Sequence, residues 1–427
     1  MFDIKKLIAM SLALIMGAAC VGCAKTPVTE PDPTERPISP SRTSYLNEMG
    51  TAAPLAIYTS TDKIAIAPTL STEMTSANNR FAASMLNALD NDWTGVFSPV
   101  SVQIALEILA NGGDEATAQK LLDAVCPGMT RADVNMNAAR LIAILTGSNG
   151  ITLNNAVVVN SAYRISERFA HTAADYYSAS VGALDFSDPD AAVKQVNDWI
   201  SKNTAGLIDK LADGLGPDVA IVILNALTLD LKWENQFHAL RELIEFKGAK
   251  GQQLIGAIAA SGSYNYGKFD EGEMVVIPYA GGEYAMAVIL PAEGSTPREA
   301  AGALMGRAAS CSPANLIIKL PKIDLTTKLD ILAMRDKLGL SEALEGGNWS
   351  NLTSDGSVAI SRIEQQSVLS LSETGTRAAS ATIVVGTKGA ANLVGDREFV
   401  CDRPFAMVIY HVETGTVMYV SLVNSIG

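Results

Sequence analysis

Hydrophobic positions in the first half of the chain recur at helical spacing. Across residues 79–89, Phe81, Met85, Leu86 and Leu89 fall on one helical face. Ser98 followed by Pro99 reads as an N-cap with proline in the first turn, and the helix it opens stops at Asn111-Gly112-Gly113. Asp114 caps another helix with Ala118, Leu121, Leu122 and Val125 inward. Asp188 and Pro189 open a further one, carrying Val193, Val196, Trp199 and Ile200 and ended by Gly206. Residues 326–338 read as a late helix ended by Gly339.

Elsewhere the pattern is that of strands. Ile151–Asn160 is β-branched, and residues 219–233 form a long apolar run whose length predicts a strand buried on both faces, despite Asn225 in its middle. Residues 274–279 and 284–290 pair around Ala280-Gly281-Gly282, and residues 406–412 and 417–423 form a hairpin across Glu413-Thr414-Gly415-Thr416. Residues 358–371 predict another long strand. The sum is an α+β fold rich in large antiparallel sheets.

Composition places this pattern in a globular protein. The chain has 427 residues, 48% apolar and 18% charged, enough to bury a large core. No repeat and no internal linker divides it, so residues 51–427 are expected to form a single domain. A formal charge of −13 with no basic cluster excludes nucleic acid as a partner.

The first 22 residues differ in kind. Lys5 and Lys6 precede an apolar stretch from Leu7 to Ala19 that is too short to span a bilayer and has the form of a secretory signal. Small residues then lead to Cys20-Val21-Gly22-Cys23, an ending similar to a bacterial lipobox. Cys23 is the expected acylated residue and Cys20 the second candidate; ordinary signal-peptidase cleavage is the alternative. Residues 23–50, with Pro27, Pro31, Pro33, Pro37 and Pro40, predict an extended tether. The expectation is an exported bacterial lipoprotein held on the cell envelope, on the periplasmic or surface face of the outer membrane, or released outside the cell. Cys126, Cys311 and Cys401 are odd in number and scattered, which predicts buried thiols.

Motifs for catalysis are absent. His171, His238 and His411 have no metal-ligand spacing, and there is no Walker A loop, no nucleophile elbow and no dinucleotide fingerprint. No metal and no cofactor are expected, and a surface hydrolase is disfavoured.

One stretch is left over. From Glu373 to Val385 the chain is small and β-branched, and from Gly386 to Gly395 it is glycine-rich with Lys388. Side chains alternate along a strand, so Thr376, Ala378, Ser380, Thr382 and Val384 share one face, all uncharged, while Arg377, Ala379 and Ala381 share the other. Gly375 at its base supplies a hinge. From these residues alone, a surface hairpin with a polar tip serves equally well.

Glu373-x-Gly375-Thr376-x-Ala378-Ala379-x-Ala381-Thr382 resembles the hinge of the reactive-centre loop of inhibitory serpins. Further stretches resemble the same family in the same order, from Phe97-Ser98-Pro99-x-Ser101 through Leu224-Asn225-Ala226-Leu227, Trp233 and Leu320-Pro321-Lys322 to Asp402-Arg403-Pro404-Phe405. The resemblance covers residues 78–424 and implies the serpin fold, with about eight or nine helices and an exposed loop over residues 373–398. It also implies a monomeric, non-enzymatic inhibitor of trypsin-like or elastase-like serine proteases. In this family a protease cleaves the loop and is caught as an acyl-enzyme while the hinge side inserts into the main sheet. About 15 residues at ~3.3 Å each carry the protease roughly 50 Å. Losing even one oxyanion donor through the resulting distortion slows deacylation ~100–1,000-fold. A non-inhibitory binding protein, cleaved as a plain substrate, is the alternative. Lys388, Gly389 and Thr387 are the candidates for the reactive bond. Ser98, Ser101, Asn197, Trp233 and Gln365 are the expected sheet-opening residues, with Gln365 where most members have a histidine. Glutamine both donates and accepts, so it could replace that histidine's bridge. Arg377, where glutamate is usual, is expected on the outward face.

Overall fold

The computed structural model describes residues 69–210, 213–356, 358–377 and 393–426. Outside them lie Cys23, the signal and tether segments, and the loop positions Ala378, Ala379, Ser380, Ala381, Thr382, Thr387, Lys388 and Gly389.

The N-terminal half is mainly helical. In chain order it runs α1 Thr72–Ala88, β1 Gly95–Phe97, α2 Pro99–Ala110, α3 Glu115–Val125, α4 Arg131–Gly147, β2 Ile151–Asn160, α5 Glu167–Tyr177, β3 Ala179–Leu184 and α6 Pro189–Asn203. Strands dominate afterwards: β4 Ile221–Lys232, β5 His238–Ala239, β6 Ile244–Gly248, β7 Gly251–Ile255, β8 Ala257–Phe269, β9 Gly272–Pro278 and β10 Tyr284–Pro291. The rest comprises α7 Pro297–Leu304, β11 Ser312–Pro321, β12 Ile323–Asp330, α8 Ser341–Gly346, β13 Glu364–Leu371, β14 Gly375–Arg377, β15 Arg397–Val400, β16 Phe405–His411 and β17 Val417–Val423.

The caps read from the sequence are in place. The side chains of Ser98, Asp114 and Asp188 accept hydrogen bonds from the amides of Ser101, Thr117 and Ala191, each satisfying a donor in the first turn. α1 starts earlier than its apolar stripe predicts, because Ser71 caps it.

Two expectations fail. Residues 326–338 are not a helix: Thr326 belongs to β12, and turns follow to Gly339. Ile323, Leu325 and Leu329 alternate on the inner side of that strand, and pairing with β13 along its full length outweighs the helix-forming residues behind it. The strand expected over 358–371 is confined to Glu364–Leu371.

Six strands form one sheet in the order β12-β13-β14-β4-β2-β3, antiparallel except for the β2–β3 pair. Nine strands form the second, with β10 and β17 buried along their whole length and β16 between them. Helix α2 lies between them. Every residue of it except Ala105 is buried, including the polar Ser101, Gln103 and Glu107. The six-stranded sheet is covered on both faces. Odd-numbered residues of β4, such as Leu227 and Leu229, join the α2 core, while Val222 and Leu224 pack with Ala192, Val196 and Ile200 of α6.

Candidate functional site

The hinge is part of the six-stranded sheet. After β13 the chain turns at Ser372–Thr374 and re-enters as β14, between β13 and β4. Thr376 pairs with Leu371 on one side and Leu231 on the other, and Arg377 with Ser370 and Asp230. β14 spans three residues, and among the described residues no ladder joins β4 to β13 directly.

Four residues hold this entry. Trp233, just beyond β4, donates its indole N–H to the Ser372 carbonyl at 2.9 Å, and its amide donates to Thr374 O at 3.0 Å. The Phe237 amide donates to Glu373 O at 3.0 Å. Tyr279 stacks on Trp233, with ring centroids 4.7 Å apart and planes at 8°, and donates its hydroxyl to Thr376 Oγ1 at 2.6 Å. Burial pushes the Tyr279 phenol well above its ordinary range, so it stays a donor. Lys322 reaches the Glu373 carboxylate at 2.5 Å. Thr376 is 1% exposed, whereas Arg377 points to the α6 side and pairs with Asp230 at 3.5 Å. The outward placement expected for Arg377 is observed.

Gly375 is required for a reason the sequence did not give. Its φ is not positive; instead, a Cβ there would run into the Leu231 carbonyl of β4. The backbones approach too closely for a side chain.

Lower in the sheet, Gln365 on β13 meets the start of α2. Its Nε2 donates to Ser98 O at 2.7 Å, and its Oε1 accepts from Ser98 N at 3.2 Å. Both ends of the amide are used on one backbone unit, the replacement expected of glutamine on the Ser98 side. Ser98, Ser101 and Gln365 are thus brought together. Asn197 belongs to α6, on the sheet's other face. The asparagine that shares a cavity with Gln365 is Asn225, the polar interruption of β4.

Asn225 Nδ2 donates to Asn155 Oδ1 at 2.6 Å, while its buried Oδ1 has no partner. It faces a cavity of about 30 Å³ that Ser101, Ile223, Ile363 and Gln365 also line, under the gap between β4 and β13. The signal for Asn225 was its position: an amide inside an apolar strand needs a polar neighbour. Trp233 is placed at the hinge, away from this cavity. Among the described residues no cluster could hold a metal ion.

A hinge seated between two strands that are not otherwise paired to each other, over helix α2, defines a class of fold. The family model for serpins, described as serine protease inhibitors, matches residues 76–426. The chain belongs to the serpin family. It is similar to an uncharacterized serpin-like protein of Methanosarcina acetivorans, 25% identical over 369 residues that cover 83% of this chain and 86% of the relative. It is also similar to Iripin-2 of Ixodes ricinus, 27% identical over 382 residues covering 83% and 94%. Among solved structures, native tengpin, a thermophilic serpin, superposes with a TM-score of 0.74 at 21% identity, covering 86% of this chain and 97% of tengpin. Thyroxine-binding globulin in complex with thyroxine gives 0.73 at 20%, covering 83% and 99%.

Proposed function

We propose that this protein inhibits a serine protease by a single-use trap, in which the cleaved loop continues β14 down the sheet and carries the acylated protease with it. The observation that supports this reading is the register of β14. Each step along the loop moves one residue back along both β4 and β13. Ala378 then falls between Leu229 and Leu369, and Ser380 between Leu227 and Ser367. Thr382 falls between Asn225 and Gln365, and Val384 between Ile223 and Ile363.

The chemistry of each rung matches its arrival. Thr382 brings a hydroxyl to the unpartnered Asn225 Oδ1, and Val384 brings an apolar side chain to two isoleucines. Ala379 and Ala381 pass on the α6 side, where small residues need the least room. The protein supplies no catalytic group; it supplies a bait bond, at Lys388, Gly389 or Thr387, and the free energy of a strand not yet formed.

The N-terminal segment adds location to this reading: export, acylation at Cys23 and a tether that sets the trap off a bacterial membrane surface. The test is incubation with trypsin and with an elastase, followed by denaturing electrophoresis. An adduct that survives denaturant and a raised melting temperature of the nicked protein are expected. Clean cleavage with neither would make the chain a non-inhibitory binding protein of the same fold.

A further inference from the structure

The connection from α6 to β4 carries a second feature. Residues 204–210 follow the C-terminal end of α6 and residues 213–220 lead into β4, and Ile208, Leu215 and Val219 pack with α6 over the β2 and β4 side of the sheet. Asp213 nevertheless reaches residues on the other side of the β4–β13 gap. Its carboxylate lies 3.4 Å from Arg362 Nη2 and 3.5 Å from Lys328 Nζ on β12, and Arg362 Nη1 donates to its backbone carbonyl. Lys328 and Arg362 in turn flank Glu364 at the start of β13, at 3.2 and 3.8 Å. Lys328, Glu364 and Val368 share the sheet face that carries α6, since Val368 packs into the α6 cluster and Lys328 sits across from Gln366. Gly214, beside Arg362, takes a φ of +67° that favours glycine.

We infer that Asp213, Lys328, Arg362 and Glu364 form an ionic strap that pins the α6–β4 connection across the insertion gap and must open before a new strand can run its full length. The inference rests on the insertion reading above. An exposed pair is worth little, but here two cations held by Glu364 grip one carboxylate, and lifting Asp213 breaks both of its ion pairs and the Arg362 hydrogen bond to its carbonyl together. Glu364 and Arg362 are also the least solvated members, with side chains 15% and 25% exposed. The strap therefore sets how readily the sheet opens without changing what finally inserts, and salt weakens it.

The test uses the full chain with Asp213→Asn, and with Asp218→Asn as an exposed control on the same connection. After loop cleavage, the rise in melting temperature is followed with time at about 20 mM and about 500 mM sodium chloride. Wild type and D218N should insert about five- to tenfold faster at high salt, and D213N should be fast at both. Equal rates for all three proteins at both salts would overturn the strap. Hydrogen exchange of residues 213–219 in the uncleaved protein is the second readout, with protection lost in D213N alone. If nicking raises the melting temperature of no variant, the insertion reading fails. The strap is then judged on exchange, and unchanged protection in D213N removes it as well.

Discussion

Thr382→Asp puts one negative charge on the rung between Asn225 and Gln365 without adding a trypsin site. Each amide there already spends one of its two N–H groups, Asn225 Nδ2 on Asn155 Oδ1 and Gln365 Nε2 on Ser98 O. A carboxylate arriving between them meets the Asn225 and Gln365 oxygens and at most one remaining N–H from each amide, with no cation on the rung to pair its charge. Burying a charge on such terms costs ~3 kcal/mol or more, which slows insertion ~150-fold. Deacylation is not slowed until insertion distorts the protease, so the balance tips to hydrolysis. The expected result is cleavage at the wild-type rate, loss of the denaturant-resistant adduct and no gain in melting temperature. Thr382→Asn, uncharged and of the same shape, should keep most of the adduct. If T382D traps protease as well as T382N does, the register drawn from β14 is wrong.

Gln365→Ala removes both hydrogen bonds to Ser98 and leaves the Ser98 amide unmatched, while its carbonyl keeps the Val102 amide; a loss of about 1–3 kcal/mol in denaturant unfolding is expected. Gly375→Ala should expel β14, read as faster hydrogen exchange at residues 375–377, because the added Cβ meets the Leu231 carbonyl. Glu107 on α2 is buried beside Gln103 and Cys126, and desolvation raises its carboxyl from 4.5 to about 7. The native state therefore holds that proton more tightly than the unfolded chain. Stability from this group is full below pH 4.5 and falls by ~3 kcal/mol as pH rises to about 7, with no further loss above. Denaturant melts across that window should show the decline in wild type and not in Glu107→Gln.

Local features were legible in the sequence because their causes are local. A capping side chain and the amide it satisfies are three residues apart, so Ser98, Asp114 and Asp188 announced their helices. β2, with its β-branched run, was found to the residue. The failures had distant causes. Leu329, Ile331 and Leu332 fit a helical stripe as well as a strand, and what decided for β12 was β13, some forty residues on. Asn197 and Asn225 both sit in apolar surroundings; only the parity of β4 against α2 and α6 shows which one faces Gln365. The alternation of the hinge, by contrast, was readable from its own residues, and Thr376 and Arg377 fall on the faces it assigned. The ion pairs around Asp213 join three parts of the chain and left no mark in any one of them.

The seated residues of β14 also decide something before any protease arrives. Side chains alternate along a strand, so a slip of one position would swing Arg377 toward α2 and send Thr376 out to the α6 side. The hydrogen bond from Tyr279 to Thr376 and the pairing of Arg377 with Asp230 hold the strand against that slip. On the insertion proposed above, closure of the sheet would start from a made nucleus, in a fixed reading frame and from one end. A cut anywhere downstream would then change how far the zipper runs, not which teeth meet.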